Sequence, residues 1–82
     1  MGKNMKIITS EFDGKKITYS SETNFIVQDG KGKGSYKTRY SFKGNLSQAV
    51  FYYNAINIRA PYKKRLLMMP AKKSVLARQI GG

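Results

Sequence analysis

The chain predicts an α+β fold: a small antiparallel sheet of about four to five strands, one packed helix and a short C-terminal helix. Three observations carry this expectation. From Gly34 to Lys43 the residues alternate, with Tyr36, Thr38, Tyr40 and Phe42 on one side and Ser35, Lys37, Arg39, Ser41 and Lys43 on the other. Side chains of a strand point to opposite faces with period two, so this is a half-buried strand with an aromatic core side and a cationic outer side. Asp13-Gly14 lies between two β-prone runs, the signature of a two-residue type I′ hairpin. Residues 45–59 place apolar side chains at helical spacing before Pro61.

In chain order, residues 5–20 form the first hairpin. A two-residue loop pairs Phe12 with Lys15, Glu11 with Lys16, Ser10 with Ile17 and Ile8 with Tyr19. That register puts Ile8, Phe12, Ile17 and Tyr19 on one face and sets Glu11 across from Lys16, a pair contributing about 0.2–1 kcal/mol. Residues 24–43 form a second, basic hairpin, in which Phe25–Gln28 is a short strand and Gly30, Gly32 and Gly34 make a loop carrying Lys31 and Lys33. No helix follows the loop and no Lys-Ser/Thr closes it, so it matches neither the Walker pattern nor the dinucleotide fingerprint. Gly44 breaks the strand, and Asn45 with Gln48 three residues on reads as a capping box. The helix over residues 45–59 turns Leu46, Ala49, Val50, Tyr53, Ile56 and Asn57 toward the sheet, carries Phe51 and Tyr52 at its sides, and stops before Pro61. Residues 62–69 begin as a cationic cluster and end apolar on both faces, as a buried strand does. Pro70 suits the first turn of a final helix over residues 70–80, with Gly81 as its cap.

The charge is the extreme feature of the composition. Sixteen Lys and Arg stand against four acids, for a net charge of +12 and a pI near 10.2. Such an imbalance destabilises the folded chain by self-repulsion and points to a polyanionic partner. There is no Cys and no His, which removes thiolate nucleophiles, disulfides, the usual zinc sets and the commonest general base. Glu11, Asp13, Glu22 and Asp29 are the sole carboxylates, and Asp13 and Asp29 read as turn residues. Catalysis, a metal and a cofactor are not expected. No apolar run approaches a membrane span or a signal peptide, and Lys6 stands where a myristoylation signal calls for Ser or Thr. The expected compartment is the cytoplasm, that of the host cell should the chain be viral.

The candidate nucleic-acid contacts fall into three groups: Lys31, Lys33, Lys37, Arg39, Ser41 and Lys43; Arg59, Lys63, Lys64 and Arg65; and Lys72 and Lys73 with Arg78. Two-stranded ribbons can enter a nucleic-acid groove, and Arg39 can make a bidentate contact that a lysine cannot. Lys72 and Lys73 at the positive end of a helix dipole also ask for an anion. Six to eight phosphate contacts give a log K against log[salt] slope of about −5 to −7. DNA ranks ahead of RNA as the ligand.

Residues 24–58 (two basic strands joined by a Gly-Lys tip, a Phe-Lys-Gly break, then a helix with Leu46-x-x-Ala49) resemble the AP2-like DNA-binding domain of phage and transposon integrases. The resemblance implies a three-stranded sheet in the major groove with one helix behind it. Lys37, Arg39 and Ser41 would then contact bases, and Val50 and Tyr53 would support the sheet. It covers under half of the chain, and the strand and helix expected after Pro61 depart from the pattern. An alternative class is a small phage-encoded inhibitor, anti-CRISPR-like or anti-restriction-like, docking on an acidic host protein or a nucleoprotein complex. A third is a ubiquitin-like carrier ending in Gly81-Gly82, although a helix cap explains these glycines as well.

Overall fold

The computed structural model describes residues 6–32, 34–70 and 77–81. Strands β1 (Ile7–Phe12) and β2 (Lys15–Ser20) pair as a hairpin in the expected register, from Ile8 opposite Tyr19 to Phe12 opposite Lys15. Asp13 and Gly14 at its tip have φ of 56° and 78°, the two positive values of a type I′ turn. Glu11 faces Lys16 in this register, yet among the described residues the ion pairs are Arg39–Asp29 and Lys43–Glu22.

The second sheet is four-stranded and antiparallel, in the order β4-β3-β5-β6, from β3 (Asn24–Gly30), β4 (Lys37–Lys43), β5 (Lys63–Met69) and β6 (Arg78–Gly81). Helix α1 (Leu46–Ala55) and the β1–β2 hairpin lie side by side on one face of it. Phe25, Val27 and Leu66 from the sheet, Leu46, Ala49 and Tyr53 from the helix and Phe12 and Tyr19 from the hairpin form the core. Edge-to-face ring contacts join the parts: Tyr19 with Phe25 at 4.8 Å and Phe12 with Tyr53 at 5.9 Å. Thr23, the buried polar residue of the core region, is satisfied through its hydroxyl by the Ser20 N–H and side chain.

Asn45 caps α1 as expected: its Oδ1 accepts from the Gln48 N–H at 3.0 Å, and its Nδ2 donates to Gln48 Oε1 at 3.2 Å. Gly44 takes φ 64° while its N–H donates to Thr23 O. A Cβ there would overlap the carbonyl oxygen of Ser21, so only glycine fits. The helix ends at Ala55 rather than at residue 59. Asn54, Ile56, Asn57 and Ile58 combine β-branching with side chains that compete for backbone bonds, and the chain is extended at Ile56 well before Pro61.

Two further expectations are corrected. Asp29 is not a turn residue: β3 continues through it to Gly30. The final helix does not reach residue 80, because Arg78–Gly81 is a strand paired with β5. Its backbone groups satisfy the outer edge of β5, which carries an obligatory row of donors and acceptors. Gly81 is a packing residue: a Cβ there would lie 2.7 Å from Cε2 of Phe12. The earlier part of the expected helix, residues 71–76 with Lys72 and Lys73, lies outside the described residues, as does Lys33. Among the described residues no helix is long and apolar enough to cross a membrane.

Candidate nucleic-acid interface

The far face of the four-stranded sheet is covered by no described element. Its composition is set by a β-bulge. Val27 pairs with Tyr40 but Gln28 pairs with Thr38, leaving Arg39 as an extra residue in β4. One added residue reverses the alternation on either side of it. Tyr40 and Phe42 therefore lie on the helix side opposite Val27 and Phe25, whereas Thr38 and Tyr36 turn to the open side. The unbroken aromatic side expected from the alternation does not exist.

The same reversal dissolves the expected row of Lys37, Arg39 and Ser41. Ser41 and Lys43 stand on the open face opposite Ile26 and Asn24. Lys37, opposite Asp29, projects toward the helix side and is exposed. Arg39 donates from Nη1 to Asp29 Oδ2 at 2.7 Å with its side chain half exposed. Lys43 keeps its side chain largely in solvent, 3.2 Å from Glu22 Oε1.

On β5 the consecutive cations divide between the two faces. Lys64 points to the helix side, where Nζ donates to Tyr53 O at 2.8 Å and Ile56 O at 3.4 Å and sits 4.7 Å from the centre of the Tyr53 ring. A cation there meets the negative end of the helix dipole and the carbonyls that α1 leaves unpaired. Lys64 is thus held inside the fold. Lys63 and Arg65 point to the open side. The Arg65 guanidinium lies 3.9 Å from the Tyr36 ring centre, and its Nε donates to Gln28 Oε1 at 2.8 Å. Gln28 in turn donates to Thr38 Oγ1 at 3.2 Å. Tyr36, Arg65, Gln28 and Thr38 so form a fixed polar ladder across three strands, with Ile26, Leu67 and Met69 beside it on the same face.

The cations gather at the end of the sheet made by the β3–β4 loop and the start of β5. Lys31 reaches 5.7 Å from the Tyr62 ring centre, Lys63 pairs with Gly30, and Tyr62 is hydrogen-bonded through its N–H to Arg59 O. Lys31, Lys37, Arg59 and Lys63 are all exposed. The nearest acid, Asp29, is already matched by Arg39.

The acids lie elsewhere. Glu11 and Asp13 line an open cleft of about 390 Å³ with Phe12 and Tyr53. Burial, with Asp13 adding to it, raises the Tyr53 phenol above its ordinary 10.0. Arg78 joins Lys15 and Lys16 around a second open cleft of about 500 Å³, a basic group that the sequence reading did not assemble. The Arg65–Tyr36–Gln28 ladder was also missed. Its members are up to 37 residues apart, and no local pattern marks them.

No protein-family model matches the chain, and neither the curated proteins nor the solved structures contain a significant match to it.

Proposed function

We propose that this chain is a non-enzymatic nucleic-acid-binding protein, contacting the phosphate backbone through the open sheet face and the basic end that adjoins it. The observation that carries the reading is Arg65. Its plane is fixed on Tyr36, one donor is spent on Gln28, and the remaining guanidinium donors face the uncovered side of the sheet. A guanidinium held flat in this way suits bidentate contact with phosphate or a base edge. Lys63 beside it and Lys31, Lys37 and Arg59 at the sheet end supply further positive charge, and of the four carboxylates Asp29 and Glu22 are already paired with cations.

The test is an anisotropy titration against labelled DNA and RNA over a range of salt. Five phosphate contacts give a slope of about −4 to −5 on duplex. Replacing Arg65 and Lys63 together by Ala is expected to weaken binding at least tenfold while the domain still melts cooperatively. Capture of a lysate protein that survives nuclease and high salt, with no salt-dependent affinity for either nucleic acid, would replace this reading by that of an inhibitor docking on an acidic protein.

A further inference from the structure

A second surface remains unused by this reading. On the helix side, where β4 forms the edge of the sheet, the rings of Tyr40, Phe42 and Tyr52 cluster, with Phe42 stacked on both neighbours and Tyr40 tilted by 35° to Tyr52. Tyr40 and Phe42 are inclined by 13°, Phe42 and Tyr52 by 23° at 5.2 Å, and Tyr40 meets Tyr52 at 4.7 Å. Phe51 stands edge-on to Tyr52 at 5.4 Å. Core packing does not account for the whole group, since Phe51 is 66% and Tyr40 37% exposed.

Flat apolar rings left in water call for a flat apolar occupant. The charge around them says what else that occupant carries. Exposed Lys37 projects from the same face of β4 as these rings, half-exposed Arg39 precedes Tyr40 with one of its nitrogens on Asp29, α1 holds no acidic residue, and the chain is at +12. An apolar peptide would gain nothing from these cations. Unpaired nucleobases on a phosphate backbone match both features, because every base offers a π-face and each phosphate a charge. Bases stacked inside a duplex cannot offer that face.

We propose that the Tyr40–Phe42–Tyr52–Phe51 shelf stacks unpaired bases of a strand that passes round the β4 edge, so that the ligand is single-stranded nucleic acid. This rests on the nucleic-acid reading above and narrows it. Lys37, exposed on the ring side of the same strand, continues the phosphate path toward the basic end of the sheet.

The experiment compares three probes of equal length: a thymidine homopolymer, its abasic counterpart with phosphates alone, and a duplex. The parent protein is expected to prefer the homopolymer over both others. Phe51→Ala, at an exposed site, leaves the melting temperature unchanged and weakens homopolymer binding about fivefold or more, with little effect on the abasic strand. Phe51→Leu, apolar but unable to stack, behaves like Phe51→Ala, and Phe51→Tyr restores binding. Equal affinity of the parent for all three probes, or undiminished homopolymer binding by Phe51→Ala and Phe51→Leu, overturns the stacking shelf. If Arg65→Ala still weakens every probe in that case, the broader reading survives. Absence of salt-dependent binding by the parent to any probe overturns both.

Discussion

Lys63 and Lys64 are neighbours in the sequence with opposite assignments, and exchanging each for Met separates them. Lys64→Met keeps an apolar stem of similar length but removes the ammonium that bonds Tyr53 O and Ile56 O. A charged hydrogen bond contributes about 1.5–3 kcal/mol, and a partly buried cation at a helix C-terminus up to about 2 kcal/mol. These describe the same charge and are not summed, so the expected loss is about 2 kcal/mol. For a domain of this size that lowers the melting temperature by roughly 8–16 °C. Lys63 is exposed and faces Gly30 across the ladder, so Lys63→Met should change stability by less than about 0.5 kcal/mol. It should instead reduce the magnitude of the salt slope by one phosphate contact, about 0.7 on a single strand and about 0.9 on duplex. Calorimetry or circular-dichroism melting reads the first effect, and the salt titration of binding, run well below both midpoints, reads the second. A Lys64→Met protein that melts with the parent would refute the helix-end assignment. A Lys63→Met protein with an unchanged slope would remove that lysine from the interface.

The Tyr53 phenol gives a pH test. Because burial and Asp13 raise its value in the folded state, the folded chain keeps this proton to higher pH than the unfolded chain does. Its contribution to stability is complete below about pH 10 and is lost as pH rises through the folded value. Tyr53→Phe should lose less stability than the parent as pH rises above about 10, and parallel curves of urea midpoint against pH would contradict this. Gly44→Ala places a Cβ against Ser21 O at a positive φ and should cost more than about 2 kcal/mol. Gly14→Ala, also at positive φ but in open space, should cost about 1–2 kcal/mol. Equal urea midpoints for the two variants would show that the close approach at Gly44 contributes nothing.

Features set by residues a few positions apart are legible in the sequence. Asp13-Gly14 fixes the register of β1 with β2 because both residues accept positive φ. Asn45 and Gln48 mark the start of α1 because cap and partner are three residues apart, and the mixed run before Pro70 reads as β5 because its apolar half is continuous. The composition likewise bounds the partner's charge before any fold is known. The remainder depends on contacts that alternation cannot report. A bulge inserted at Arg39 reverses which residues of β4 see the helix, turning Tyr36 outward to carry Arg65 and leaving Lys37 off the open face. The end of α1 depends on a lysine from β5, and Arg78–Gly81 is a strand because β5 offers it a free edge. Which cations point to solvent is decided by pairing between distant segments, since a shift of one residue in register moves a side chain from one face of a sheet to the other.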